Sequence, residues 1–347
     1  MKIDVKQLIR VLEDLKPAIA KAQMVEQASH YIFSGETIVA FDDRICISHP
    51  FSFDTVCSVE GEDLLRSLKT IKEIEAEMWV EKDILIIRSD KVEVELSTVV
   101  GDRSAEKMIE GIGIGSLTWS PLHPDFCVGL GICAFTASDD ATKRNLTAVH
   151  VNQNYMESSD DLRITEYIYD GQMPEVLIPK KAAIEIAKFD AKEYSLTEAW
   201  IHFRTDTGLV FSSRIIKESF PDCSSFFEVE GTEIRLPIEL KEIAKEVSFM
   251  AEGKTEVDVN IVITISKGSC QVEASKSRGR ITKDIDMVYK RDKPVKIIIN
   301  PDFLYEALSR SPVVTISNAG NVALFQSERF RHVIALATAD SKEKKDG

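Results

Sequence analysis

The chain carries one pattern three times, with a period of about 117 residues in a total of 347. A repeat of that length constrains a fold more tightly than local propensity does, because each copy has to build the same unit. The segments 58–68 (SVEGEDLLRSL), 177–187 (LIPKKAAIEIA) and 298–308 (IINPDFLYEAL) share their apolar positions: Val59, Ile178 and Ile299 correspond, as do Leu68, Ala187 and Leu308. In each, a β-rich pair leads through a short polar entry into apolar residues at i, i+3 and i+4, which predicts a strand feeding an amphipathic helix. Two β-branched runs separated by hairpin-length turns follow, 75–80 with 83–89, 199–204 with 208–213, and 312–317 with 321–326. A further strand is expected to close each copy, over 91–99, 213–216 and 331–338; the first alternates as a half-buried strand must.

A second helix opens each copy. Ile3, Lys6, Leu8, Arg10 and Leu12 correspond, at a constant offset of 235, to Ile238, Lys241, Ile243, Lys245 and Val247. The middle copy, 120–136, keeps the apolar face but has no Lys or Arg, and its glycines make it a poorer helix. Two Asp-Asp corners, in 41–48 and 159–166, lie 118 residues apart between extended segments. Linkers are expected near 111–117 and 231–233. The reading is an α+β protein of three similar domains, 1–117, 118–234 and 235–338, each with two helices on one face of antiparallel sheet, and a charged tail at 339–347 expected to be disordered.

The residues offer no seat for catalysis. GIGIG at 111–115 has no strand-turn-helix context and GLGIC at 129–133 lies inside an apolar helix, so neither reads as a phosphate loop. Asp42/Asp43, Asp139/Asp140 and Asp160/Asp161 could supply oxygen ligands to a hard metal in a hydrolase, but each pair sits at an apparent turn, where aspartate serves the backbone. The six histidines never stand in HxH or HxxxH spacing, and no metal site or cofactor is expected. Six scattered cysteines without CxxC read as reduced core thiols. The longest nearly pure apolar stretch, 126–135, is half the length of a membrane span. The N-terminus lacks the unbroken apolar core of a secretory signal, so a cytoplasmic location is expected.

Forty-three basic against 57 acidic residues give a net charge of −14, which argues against nucleic acid at long range. Against that, pairs of basic residues recur on the predicted helices: Lys6/Arg10, Arg66/Lys69, Lys181/Lys188 with Lys180 beside it, and Lys241/Lys245. Spacings of 3, 4 and 7 put each pair on one helical face. Aligned across three copies, they would form a basic strip able to follow a phosphate backbone without reading bases.

Several segments, in order, resemble the bacterial DNA polymerase III beta subunit, or sliding clamp. Residues 1–15 resemble its first helix and 84–99 its first-domain closing strands. Residues 140–146 (DATKRNL) resemble the DETRPxLxG motif, 176–189 the VIVPRKxxxEL helix, and 213–222 (SRIIKESFPD) the SxLIDGxFPDY segment. The resemblance implies a head-to-tail dimer of three-domain chains forming a six-domain ring around duplex DNA, acidic outside, with helices lining the pore. Lys143 falls on the family's DNA-contacting loop arginine, with Arg144 next to it.

The resemblance also implies an apolar cleft between domains 2 and 3 that takes short peptides from polymerase, clamp loader and repair proteins. Ser159, Leu162, Arg163 and Ile164 fall on one wall, and Val333, Ile334, Ala335 and Leu336 on another. The family's Met-Pro on the last strand is missing, and after FPD its basic and aliphatic residues have become Cys223 and the SSFFE that follows. The segment expected at the dimer interface has become 101–109 (GDRSAEKMI). The function so implied is that of a processivity factor; the alternative is a clamp-like adaptor that no longer encircles DNA.

Overall fold

The computed structural model describes residues 1–20, 27–101, 110–253, 255 and 258–337. The expected tail at 339–347 and most of the 101–109 segment lie outside them. Among the described residues, and leaving aside short 3-10 turns, each third of the chain runs strand, helix, four strands, helix, three strands. The first comprises β1 (Lys2–Asp4), α1 (Val5–Leu15), β2 (His30–Phe33), β3 (Thr37–Phe41), β4 (Ile45–Pro50), β5 (Cys57–Glu60), α2 (Gly61–Leu68), β6 (Glu75–Glu81), β7 (Ile84–Arg88) and β8 (Glu93–Val100). The second comprises β9 (Ser120–Pro121), α3 (Phe126–Ala134), β10 (Ala148–Val151), β11 (Tyr155–Ser159), β12 (Arg163–Ile168), β13 (Val176–Pro179), α4 (Lys180–Ile186), β14 (Ala191–Leu196), β15 (Trp200–Thr205) and β16 (Val210–Arg214). The third comprises β17 (Gly231–Arg235), α5 (Leu240–Ser248), β18 (Ile261–Ser266), β19 (Ser269–Lys276), β20 (Gly279–Asp286), β21 (Val295–Ile299), α6 (Pro301–Leu308), β22 (Val313–Ser317), β23 (Val322–Gln326) and β24 (Phe330–Ala335).

The helices form where capping and periodicity agree. Asp4 caps α1 by accepting from the Gln7 amide at 2.9 Å, and Val5, Leu8, Val11, Leu12 and Leu15 make its buried stripe. Asn300 caps α6 by accepting from the Asp302 and Phe303 amides, with Pro301 at the first helical position. Burial of each leucine on these stripes contributes roughly 1.5–3 kcal/mol. Helices α1 and α5 begin at Val5 and Leu240, at the offset of 235 read from the sequence.

Two expectations need correction. No separate strand closes the second copy at 213–216: Ser213 belongs to β16, and Ile216 makes an isolated bridge to Leu177. The third strand of that copy is instead β14, whose charged AKEYSL sequence hides a strand with Ala191 and Ser195 facing inward. The expected linker at 231–233 is part of β17, which pairs with β22 as β1 pairs with β6 and β9 with β14. The opening strand is therefore a member of the repeat.

The chain divides into two compact units, Met1–Gly131 with Val176–Lys217, and Ile132–Glu175 with the chain from Glu218 onward. In the first, one twelve-stranded antiparallel sheet runs β1-β6-β7-β8-β5-β2-β3-β4-β16-β15-β14-β9. The β4–β16 pairing, Ser48 opposite Val210 through Ile45 opposite Ser213, carries it from the first copy into the second. In the second unit, β10-β11-β12-β24-β23-β22-β17 forms one sheet, joined from second copy to third by β12 and β24, and β20-β19-β18-β21 forms another. Sheets thus cross the copy boundaries, which is why the compact units do not follow them. No helix among the described residues is long and apolar enough to cross a membrane.

Candidate functional site

The Asp-Asp corners are turns built alike. Asp42 Oδ1 accepts from the amides of Arg44 (3.1 Å) and Ile45 (2.8 Å), and Asp43 takes a φ of +72°. Asp160 Oδ1 accepts from the amides of Leu162 (3.2 Å) and Arg163 (3.1 Å), and Asp161 takes a φ of +74°. Asp140 likewise accepts from the Thr142 amide at 3.0 Å. One carboxylate of each pair, Asp42, Asp140 and Asp160, serves its own backbone, as aspartate in turns does. Among the described residues no three His, Cys, Asp or Glu side chains converge as metal ligands.

The expected basic residues are surface side chains, and most already hold a carboxylate. In the first unit Lys6 and Arg10 stand exposed on α1 with no carboxylate partner among the described residues. Arg66 pairs with Glu62 at 2.8 Å, and Lys69, one residue past α2, pairs with Glu13 of α1 at 2.6 Å. Lys180 is half-buried at the start of α4, and Lys181 reaches Asp42 at 2.5 Å. Lys188 lies beyond the end of α4, so the expected common helical face with Lys181 is not formed, and it pairs with Glu185. In the second unit Lys143 pairs with Asp161 and Arg144 stands 3.7 Å from Glu218. Lys241 and Lys245 of α5 both lie over the Tyr305 ring, at 5.3 and 5.5 Å, and Lys245 also pairs with Asp302 of α6. The exposed pairs, such as Arg66–Glu62 and Lys69–Glu13, contribute about 0–1 kcal/mol each, whereas the Asp42 side chain that pairs with Lys181 is only 9% exposed.

The residues expected to form a cleft divide by strand register. In the antiparallel β12–β24 pair, Ile164 lies opposite Val333 and Arg163 opposite Ile334; directly opposed residues share a face, and neighbours alternate. Ile164 and Val333 join Leu324 of β23, Cys223 and Phe227 in one apolar cluster, with Phe220, Val229 and Val322 packed against it. Ser159, opposite Ile164 on β11, donates to the Arg163 carbonyl, and exposed Leu162 accepts through its carbonyl from the Ala335 amide. Arg163 faces the other way. Its guanidinium stacks on Phe303 of α6 at 4.1 Å and pairs with Asp160 and Glu306, so it fastens corner to helix. Ile334 is buried on that same side, Leu336 is buried past the strand's end, and Ala335 is exposed.

The sequence reading did not single out Leu324 or Phe226. Leu324 is visible in the alternation of β23, and Phe226 is 56% exposed on the short turn Ser224–Phe227, next in the chain to Phe227 of the cluster. Nor did it find the buried network around His150, since its partners stand 7 and 25 residues away. His150 Nδ1 lies 2.8 Å from Glu157, its Nε2 3.1 Å from Glu175, and its ring stacks on Phe220 at 5.1 Å. Burial pulls this imidazole down, but the two carboxylates outweigh it and its pKa is raised. Arg331 lies over the Phe227 ring at 4.5 Å and pairs with Glu166 at 2.6 Å.

No protein-family model matches the sequence, and no curated protein matches it. Among solved structures, it is similar to the griselimycin-bound sliding clamp (DNA polymerase III subunit beta) of Bartonella birtlesii, with TM-score 0.86 and 17% identity over 98% of this chain and 99% of that one. The DNA polymerase III beta chain of Streptococcus pneumoniae gives TM-score 0.83 at 16% identity, covering 97% and 99%. The sliding clamp of Bacillus subtilis gives 0.81 at 17%, covering 97% and 98%. The fold is that of the bacterial sliding clamps. The match runs along nearly the whole of chains that share about one residue in six.

Proposed function

We propose that this protein is a DNA sliding clamp, a processivity factor with no chemistry of its own and no cofactor. It encircles duplex DNA without regard to sequence and tethers the replicative polymerase, the clamp loader and other partners through the Ile164–Val333 cleft. The three copies act as three domains, 1–117, 118–234 and 235–338, and two chains close head to tail in the cytoplasm. The observation that carries the reading is the fold shared along the whole chain with sliding clamps, at TM-scores of 0.81 to 0.86. The recurrence of surface cations on α1, α2, α4 and α5 supports it, because weak interactions with phosphate suit sliding.

A second reading, an adaptor that binds partners without encircling DNA, is favoured by two observations: α3 has no basic residue, and several cations on or beside the other helices, Arg66, Lys69, Lys181 and Lys245, are paired with carboxylates. The separating test is topological. Protein loaded on nicked circular DNA by a clamp loader should co-elute with the circle and be released when the circle is cut. Partner binding without any retention on circles would favour the adaptor.

A further inference from the structure

We propose that the apolar cleft of the second unit selects partner peptides whose apolar anchor residues are flanked by lysine or arginine. The inference rests on the clamp reading of this cleft and names its ligand class. The wall formed by 218–230 (ESFPDCSSFFEVE) has four carboxylates and no cation. Its apolar residues turn towards the cluster, with Phe220, Cys223, Phe227 and Val229 packed there. The acidic residues between them, Glu218, Asp222, Glu228 and Glu230, are exposed.

The cations within reach do not compensate for them. Arg331, over Phe227, is held by Glu166, and Arg144, paired with Glu218 at 3.7 Å, offsets that one carboxylate and leaves the other three. Hydrogen bonds from the Ser224 hydroxyl and from its amide, the latter at 3.0 Å, lower the pKa of Asp222 and keep it charged. Glu228 and Glu230 have no cationic partner among the described residues. A peptide seating an apolar side chain against Phe226 therefore meets a rim on which Asp222, Glu228 and Glu230 have no cationic partner among the described residues. Rim charges govern encounter rate and partner choice, and they repel like charge.

The experiment uses the full-length protein and three fluorescein-labelled peptides with one leucine-phenylalanine core and lysine, glutamine or glutamate flanks, followed by anisotropy. At low salt the lysine-flanked peptide should bind about tenfold more tightly than the glutamate-flanked one, and the gap should shrink as salt screens the rim. Glu228→Lys with Glu230→Lys should invert the order. Equal binding of all three would overturn the charge selection and leave the cleft reading standing. Binding of none would overturn both. Phe226→Ala tests the alternative that cationic peptides adhere to an acidic protein at large: it should weaken the lysine-flanked peptide at least fivefold, an effect of order 1 kcal/mol, and unchanged binding would overturn the proposal.

Discussion

At the scale of single residues, burial decides which substitutions report on function. Ile164 and Val333 are 8% and 5% exposed, so an aspartate at either place would carry an unpaired charge into the core and unfold the sheet before any partner is released. Exposed Phe226 is the better probe. Gly131 poses the opposite problem: in sequence it looks like a flaw in α3, but a Cβ there would stand 3.1 Å from the Ala187 Cβ. Gly131→Val should therefore cost about 1–3 kcal/mol, read as a lowered urea midpoint, whereas Gly115→Ala, which opens onto free space, should change little. Two buried histidines set the response to acid. Burial lowers His202 to about 4 and His332 to about 3, and the Nε2 of each has no hydrogen-bond partner among the described residues. Unfolded, both titrate near 6.5, so they contribute stability that is complete above about 6.5 and lost as pH falls towards their folded values. Each gives a slope of up to about 1.4 kcal/mol per pH unit in that window. His150, with its pKa raised, works in the other sense: its contribution is complete below about 6.5 and lost as pH rises through its folded value. Urea titrations between about pH 7.5 and about pH 4.5 should show His202→Asn losing less stability on acidification than the parent protein.

At the scale of elements, what was legible depended on whether a segment buries one face or is fixed by pairing. The helices α1, α2, α5 and α6 were readable because each buries a one-sided stripe. The corners at Asp42 and Asp160 were readable because turn chemistry is local. The strands β14 and β17 were not, since AKEYSL and GTEIR are mostly polar and are held by ladders to β15 and β22 that no local pattern reveals. The same limit applies to the cleft. Its walls could be named by resemblance, but only the β12–β24 register separates Ile164 and Val333 from Arg163 and Ile334. The basic residues were legible as types, while their carboxylate partners, such as Asp42 for Lys181, come from elements far away in sequence. Helix α1 is where that distinction makes a prediction. Lys6 and Arg10 are exposed and unpaired with carboxylates among the described residues, so Lys6→Glu with Arg10→Glu should leave the melting temperature almost unchanged. Retention on circular DNA should fall severalfold, and the salt dependence of what remains should be shallower by about one unit for each phosphate that these two side chains engage.

At the scale of the whole molecule, the net charge of −14 and the proposed grip on DNA are reconciled only if cations are gathered where phosphates run and the remaining surface repels them. A single chain of this fold has no need of closure to be stable, because each unit already buries its own core and the two larger sheets are carried across a copy boundary by strand pairing. Encirclement does need closure, and two three-domain chains are what the resemblance supplies. Light scattering over a dilution series should therefore give a species of twice 38.9 kDa that persists to submicromolar concentration, as an interface able to stay shut on DNA requires. A mass that remains at 38.9 kDa up to tens of micromolar, even with circular DNA and a loader present, would remove encirclement and leave the adaptor reading in its place. A mass that doubles only when DNA is added would keep the ring, with the duplex supplying the free energy that closes it.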